Sequence, residues 1–168
     1  EEPPKGFHRL YPGNKVRLRY GYVIECTGCE KDAKGNVTAV TATYFEDSKS
    51  GTPGADNYKV KGNSHWVSVA HACAAEVRLY DRLFARANPG AKLADTPEGV
   101  ERDFLDDLNP NSITTIQAQV EGGLASVGPE SVFQFERHGY FVADRFESQP
   151  GKPVFNRTVT LRDSWGKA

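Results

Sequence analysis

The chain contains 168 residues, of which 38% are hydrophobic and 26% are charged. This length suits one ordinary domain or two small ones, and it excludes an enzyme that carries a separate cofactor-binding domain. No apolar run exceeds four residues, whereas a membrane-spanning helix needs about 18 or more, so we expect no membrane segment. The absence of methionine indicates a piece of a longer protein, and the three cysteines, an odd number, favour a reducing cytoplasm over a disulfide framework.

The net charge of −1 conceals a strong segregation of charge along the chain. Residues 3–24 contain five Lys or Arg side chains and no acid, and residues 145–168 contain five cations and two acids. Residues 95–107, by contrast, hold six acids and one arginine. If the two basic ends meet in the fold, they form a cationic surface of the kind that binds polyanions. Solvated charge on exposed strand faces is the alternative explanation.

Most of the chain alternates between apolar and polar residues with a period of two, interrupted by clusters of Gly, Pro, Asn and Asp. This pattern is typical of antiparallel β structure. Residues 15–26 predict one strand, with Val16 and Tyr20 on one face and Arg17 and Arg19 on the other. Such a strand buries its apolar face and offers two guanidinium groups to solvent.

Further strands and loops are predicted along the rest of the chain. Residues 31–36 are typical of a polar hairpin connection. Residues 46–61, rich in Ser, Gly, Pro and Asp, indicate a long surface loop. The remaining predicted strands cover residues 37–45, 65–69, 76–80, 113–121, 132–145 and 154–162.

One helix is predicted inside the acidic segment. Thr96 can cap it, Pro97 suits its first position, and the acids that follow favour its positive end. We expect this helix to run over about 97–108 and to end before Pro110. One short helix among many strands predicts an all-β fold, a barrel or a sandwich, rather than a parallel α/β sheet.

Two groups of residues raise the question of a metal or catalytic site. Cys26 and Cys29 have the spacing of a metal knuckle, and His71 with Cys73 can complete a Cys3His set for zinc. The second Cys-x-x-Cys pair is missing, and an ordinary hairpin explains the first pair, so we predict no metal. The chain also lacks the nucleophile elbow, the Walker loop and the other motifs of catalytic centres. We therefore expect no catalytic residues.

The remaining polar side chains suit the recognition of unpaired RNA bases. Bases in RNA loops are splayed out, stacked on aromatic or guanidinium planes, and hydrogen-bonded along their edges. Strict alternation places Gln134 and Arg137 on opposite faces of a strand, so they reach one ligand only if the chain bends, which His138-Gly139 permits. A solvated strand face and a surface ion pair are the alternative explanations for these two residues. The candidates are His8, Arg9, Arg17, Arg19, Gln134 and Arg137.

Long motifs, in order along the chain, resemble the C-terminal anticodon-binding region of bacterial-type glutaminyl-tRNA synthetases. Shorter matches include Val16-Arg17-Leu18-Arg19, His65-Trp66-Val67-Ser68 and Asp103-Phe104-Leu105. The strongest are Glu76-Val77-Arg78-Leu79-Tyr80-Asp81-Arg82-Leu83-Phe84, Phe133-Gln134-Phe135-Glu136-Arg137 and Pro153-Val154-Phe155-Asn156-Arg157-Thr158-Val159.

The resemblance implies that residues 1–168 form an anticodon-binding region of two β-barrels that share strands, of a type also found in a ribosomal-RNA-binding protein. It implies that the first strands of one barrel precede this chain. The parent would be a class I aminoacyl-tRNA synthetase, a cytoplasmic monomer that attaches glutamine to tRNA(Gln). ATP and Mg would bind in its catalytic domain, and this fragment would hold no cofactor and have no activity of its own.

The resemblance also assigns roles to the candidate residues. Arg9 matches an arginine that contacts the third anticodon base. Arg17 and Arg19 match a pair at the first anticodon position, and Gln134 and Arg137 match residues that grip the middle uracil. At the third position this chain departs from the family pattern, since Gly6 has no side-chain amide and His8 replaces a lysine.

Two other functions are compatible with the same barrels. One is the anticodon-binding domain of a related glutamyl-tRNA synthetase, and the other is a structural barrel that binds ribosomal RNA. The segment Tyr80-Asp81-Arg82-Leu83-Phe84 favours the glutamine enzyme.

Overall fold

A computed structural model describes residues 10–161 of the chain. These residues divide into two compact units, an N-terminal unit that ends at Trp66 and a C-terminal unit that begins at Val67. Each unit contains one β-sheet, and the only helices in the described part are short 3-10 turns. The predicted all-β class is confirmed.

The N-terminal unit is a four-stranded sheet. Its strands are β1 (Lys15–Leu18), β2 (Val23–Lys31), β3 (Val37–Tyr44) and β4 (Gly62–Ser64). Their order is β3-β2-β1-β4, in which β1 runs antiparallel to β2 and parallel to β4. The hairpin predicted between β2 and β3 is present, with Gly35 in the left-handed region at φ 83° and its amide hydrogen-bonded to the Asp32 carbonyl at 3.0 Å.

The single strand predicted over residues 15–26 is wrong, because the chain reverses direction inside it. The amide of Gly21 donates to the carbonyl of Leu18 at 2.8 Å, which closes a tight turn. Tyr20 occupies the left-handed region of this turn at φ 58° and is 75% exposed instead of buried with Val16. The alternation of the sequence continues through the turn, so the pattern alone gave no sign of the reversal.

The C-terminal unit is a five-stranded sheet. Its strands are β5 (Cys73–Tyr80), β6 (Ile113–Val120), β7 (Val132–Phe135), β8 (Gly139–Ala143) and β9 (Val154–Val159). Their order is β6-β5-β9-β8-β7. The parallel pair is β5 with β9, and the other neighbours are antiparallel.

Aromatic rings fill the core of the C-terminal unit. Phe155 is fully buried and Phe141 nearly so. Phe135 stacks on Phe141 with 4.5 Å between ring centroids and meets Phe155 edge-on at 5.2 Å. Since β7, β8 and β9 are neighbours, this cluster fixes the register of the hairpin that carries Gln134 and Arg137. The stacked and edge-on contacts between its rings stabilise the unit beyond the gain from burial.

The predicted helix over 97–108 is reduced to one 3-10 turn, Phe104–Asp107. Gly99 has φ 82°, which ends any helix that starts at Pro97, and the hydroxyl of Thr96 accepts a hydrogen bond from the amide of Leu93 instead of capping a helix. Asp103 takes the capping role, accepting from the amide of Leu105 at 3.0 Å. Local side-chain to backbone hydrogen bonds and the conformation of Gly99 thus determine the structure of this segment, although its apolar spacing is typical of a helix.

Asp107 organises the irregular connection between β5 and β6. Its buried carboxylate accepts hydrogen bonds from Arg102 at 2.8 Å and from the amide of Gly90 at 2.9 Å, and Arg86 lies 3.2 Å away. Two hydrogen bonds, the stronger influence coming from Arg102 and the weaker from the amide of Gly90, hold the pKa of this carboxyl below its ordinary value of 3.8. The segment is therefore ordered by side-chain contacts in place of helical ones.

Two other predicted strands differ from those in the structure. Residues 65–69 form no strand, because the carbonyl of Ser68 closes a turn with the amide of His71 at 3.0 Å. Residues 132–145 form the β7–β8 hairpin instead of one strand, through a turn in which the amide of His138 donates to Phe135 at 2.9 Å. Within residues 10–161 every strand of a sheet belongs to a single unit, and the exchange of strands between barrels stays a prediction.

Candidate nucleic-acid interface

The guanidinium group of Arg17 holds a loop of the N-terminal unit. Arg17 lies on β1 and is half-buried. Its Nη1 donates to the carbonyl of Ser48 at 2.6 Å and its Nη2 to the carbonyl of Ala55 at 2.9 Å. From the sequence we predicted only an RNA-binding role for Arg17, whereas in the structure it also anchors the connection between β3 and β4.

Ser48 fixes the start of the same loop. It is fully buried, its hydroxyl donates to the carbonyl of Phe45 at 2.6 Å, and it accepts from the amide of Val23 at 2.8 Å. A buried hydroxyl that both donates and accepts is satisfied and holds its neighbours in place. The loop therefore approaches β1 from a defined direction.

An open cleft of about 420 Å³ lies beside Arg17. Lys59 adds a second cation to its wall, Asp56 adds an acid, and Tyr58 adds an aromatic ring. The phenol of Tyr58 donates to Asp47 at 2.6 Å, and this hydrogen bond raises its pKa above 10.0. The wall of this cleft therefore combines two cations, one acid and one aromatic ring.

Arg19 lies in the turn that follows β1. Its amide donates to the carbonyl of Ser64 at 2.9 Å, and its carbonyl accepts from Nε1 of Trp66 at 3.0 Å. Its guanidinium carbon lies 5.1 Å from the centre of the Tyr20 ring. The turn therefore presents a cation and an aromatic ring together.

Gln134 and Arg137 lie at the same end of the β7–β8 hairpin. Gln134 is exposed on β7, the edge strand of the sheet, and Arg137 is exposed in the turn that follows, at φ 67°. The bend that the sequence required between them is confirmed, centred on Glu136 and Arg137 instead of His138-Gly139. Tyr140 pairs with Gln134 across the hairpin, so the two side chains share the outer face of the sheet.

The six predicted site residues thus fall into three sets. Arg17 and Arg19 lie in the N-terminal unit, and Gln134 and Arg137 lie in the C-terminal unit. His8 and Arg9 lie outside the described residues. The meeting of the two basic ends on one surface stays a prediction.

The three cysteines are free thiols. Cys26 is buried, and its Sγ lies 3.5 Å from the carbonyl of Gly28. Cys29 is exposed and Cys73 is half-buried. Across residues 10–161 no group of three or more His, Cys, Asp or Glu side chains is arranged to hold a metal ion. No helix in that range is long and apolar enough to cross a membrane.

Sequence reasoning missed three aromatic residues near these sites. Tyr20 was assigned to a buried face, Trp66 to a strand, and Tyr140 to no role. The Arg-Tyr-Gly sequence at 19–21 is the one available signal, because Gly after two bulky polar residues suits a tight turn. Nothing local distinguishes Tyr140 from the buried aromatic residues beside it.

Comparison with known proteins places this chain in one family. Two models with the description "tRNA synthetases class I (E and Q), anti-codon binding domain" match residues 3–45 and 63–144. A glutamine–tRNA ligase of Cupriavidus metallidurans is 66% identical over 167 residues, which are 99% of this chain and 27% of that protein. The ligase of Bordetella pertussis is 57% identical over 168 residues, which are 100% of this chain and 27% of that protein.

The chain spans little more than a quarter of the length of these curated relatives. The two matched segments include β1 to β3 in the N-terminal unit and β5 to β8 in the C-terminal unit, and they contain all six predicted site residues. The chain therefore belongs to the class I tRNA synthetase (E and Q) anticodon-binding domain family.

Proposed function

We propose that this chain recognises the anticodon loop of tRNA(Gln), as the anticodon-binding part of a glutamine–tRNA ligase. The observation that carries the proposal is the β7–β8 hairpin, which presents an amide and a guanidinium at one exposed end within a segment matched by the family model. The identity of the relatives, 57–66% over nearly the whole chain, supports the choice of glutamine.

The candidate side chains divide among the three anticodon bases. The amide of Gln134 offers both a donor and an acceptor, which can pair with the edge of a uracil, and Arg137 adds donors beside it. Arg17 and Arg19 serve the first anticodon base, with their charge also attracting the phosphate backbone. His8 and Arg9 serve the third base.

The longer protein is proposed to attach glutamine to this tRNA in the cytoplasm as a monomer. ATP and Mg²⁺ would bind in a part of that protein outside this chain. Each sheet is proposed to belong to a β-barrel, with strands exchanged between the two barrels.

Aminoacylation and binding assays with the full-length protein test the proposal. Transcripts of glutamine tRNA are compared with versions in which each anticodon letter is exchanged. Gln134→Ala is expected to lose about 1–3 kcal/mol of discrimination at one letter. The matched control is Gln117→Ala, an exposed glutamine on β6 at the opposite edge of the same sheet, which should leave discrimination unchanged. Equal weakening by Gln134→Ala for every anticodon, or a preference for glutamate tRNA, would contradict the assignment.

A further inference from the structure

Arg157 lies on β9, the central strand of the C-terminal sheet, and is half-buried. It pairs with Phe141 on β8, and directly paired residues of neighbouring strands share one face of a sheet. Phe141 belongs to the aromatic core, so the side chain of Arg157 starts on the core side. Gln134 lies on the opposite face, since it pairs with Tyr140, the residue that precedes Phe141 along β8.

The methylene stem of Arg157 lies against the base of the β7–β8 hairpin. A Cβ added at Gly139 would lie 3.4 Å from Cδ and 3.6 Å from Cγ of Arg157. Gly139 follows the turn that holds Arg137, so the stem passes beside the end of the hairpin that is proposed to contact the middle anticodon base. An arginine whose stem is covered in this way keeps its charged end in water.

The guanidinium of Arg157 forms no hydrogen bond or ion pair within residues 10–161. Arginines elsewhere in the same unit are paired with carboxylates, as Arg78 is with Glu76 and Arg102 is with Asp107. Neither β8 nor β9 contains an acid that could pair with Arg157. Its N–H donors are therefore not used by the described part of the protein, and its charge is not neutralised there.

From this arrangement we infer that Arg157 binds a backbone phosphate of the RNA loop, next to the nucleotide that Gln134 and Arg137 are proposed to hold. The inference rests on the proposed function and adds to it a contact that none of the six predicted residues supplies. Guanidinium groups bind phosphate oxygens through charge-assisted hydrogen bonds, and such contacts position a nucleic acid without reading its sequence. Arg157 adds a second cation to this end of the hairpin, beside Arg137.

Two observations favour a phosphate over a base as the ligand of Arg157. A base edge is read by donors that are held in a fixed direction, whereas no polar contact within residues 10–161 fixes the direction of this guanidinium. In addition, Arg157 and Gln134 start from opposite faces of the sheet. A nucleotide at the end of the hairpin can therefore present its base to Gln134 and its phosphate to Arg157.

The test measures binding of glutamine tRNA transcripts to the full-length protein at several salt concentrations. Arg157→Met removes the charge and keeps an apolar stem, and Arg157→Lys keeps the charge. We expect Arg157→Met to lose about fivefold or more in affinity, equally for transcripts with each anticodon letter exchanged. The slope of log K against log salt concentration should become shallower by about 0.7, the value for one phosphate of a single strand. Arg157→Lys should keep the wild-type slope.

Arg145→Met is the matched control, because it removes the same charge from the same unit. Arg145 is exposed and lies 3.9 Å from Glu130. This variant should keep the affinity and the salt slope of wild type. The Tm of the Arg157→Met protein should lie within about 2 °C of wild type, since the substitution breaks no ion pair among the described residues.

Three results would overturn the inference. They are an unchanged salt slope in Arg157→Met, a loss of affinity confined to one anticodon letter, which would make Arg157 a base-reading residue, and a marked fall in Tm, which would assign the side chain to folding. If wild type discriminates the anticodon letters while Arg157→Met keeps the wild-type slope, only this inference fails. If wild type does not distinguish the letters, the proposed function fails and this inference fails with it.

Discussion

The carbonyl oxygen of Ala55 accepts a hydrogen bond of 2.9 Å from Nη2 of Arg17, which joins β1 to a loop 38 residues further along the chain. The same guanidinium reaches Ser48 with its other terminal nitrogen. Both acceptors are backbone groups, so the bond depends on the planar fork of Arg17 and not on the identity of the loop residues. A residue proposed to bind RNA therefore also sets the shape of the cleft beside it.

Arg17→Lys should loosen the loop while keeping the charge. A single ammonium nitrogen cannot span both carbonyls as the guanidinium does. We expect faster amide hydrogen exchange over residues 49–58, measured by mass spectrometry, with little change in the β2–β3 hairpin. Arg19→Lys is the control, because the backbone amide and carbonyl of Arg19, which the substitution keeps, make its hydrogen bonds to Ser64 and Trp66. Wild-type protection of the loop in Arg17→Lys would show that this anchor is dispensable.

Asp107→Asn should remove part of the pH dependence of stability. The carboxyl of Asp107 has a pKa below its ordinary value of 3.8, mainly because of the hydrogen bond from Arg102. A depressed pKa means that the ionised form stabilises the fold above about pH 4, and that this stabilisation is lost as the pH falls through the folded-state pKa. Tm measured from pH 7 down to pH 3 should fall less steeply in Asp107→Asn. Parallel curves for the two proteins would rule out this role.

Gly139→Ala should disrupt the hairpin that carries Gln134 and Arg137. Gly139 has φ 136°, and an added Cβ would lie only 2.5 Å from the carbonyl oxygen of Val159. Since that contact is with backbone, relief requires a strand to move, and we expect a loss of about 2 kcal/mol or more. Gly123→Ala, where a Cβ meets nothing within 4 Å, should change the urea unfolding free energy by less than about 0.5 kcal/mol. Similar values for the two variants would contradict the steric argument.

Arg78→Lys should weaken the contact between β5 and the connection that follows β8. Arg78 donates to Glu76 at 2.7 Å, lies 3.7 Å from Asp144 and also bonds Glu147. With its side chain only 16% exposed, loss of this multiple pairing should cost about 1–3 kcal/mol in urea unfolding. The control is Arg145→Lys, whose exposed pair with Glu130 spans 3.9 Å and should contribute almost nothing. Equal unfolding free energies for the two variants would show that the ion pairs of Arg78 do not stabilise the fold.

Period-two alternation predicted most strands because one face of each strand packs and the other meets solvent. Val37 to Tyr44 and Ile113 to Val120 match their predicted strands to within one residue. The family was also predictable, since long motifs such as Phe133 to Arg137 fall within the segments that the family models match.

The errors share one physical cause, which is turn chemistry inside an unbroken pattern. Tyr20 takes a left-handed φ although glycine follows it, and Gly99 takes φ 82° inside a segment with helical spacing. Neither choice is visible in hydrophobic periodicity, because a turn depends on single backbone hydrogen bonds. The role of Arg17 as an anchor of the loop was not predictable either, because its acceptors are backbone carbonyls of residues far along the chain.

The position of β9 affects how the C-terminal unit is built during translation. This strand is the last one in the described chain, yet it lies at the centre of its sheet, between β5 and β8. A nascent chain that has not yet released Val154–Val159 holds two separate pairs of antiparallel strands, β5 with β6 and β7 with β8, and an isolated two-stranded pair is at best marginally stable in water. The buried side of Phe141 stays open until Phe155 arrives. Assembly must therefore await synthesis of that strand, and the interval is when chaperones would find exposed apolar surface on this protein.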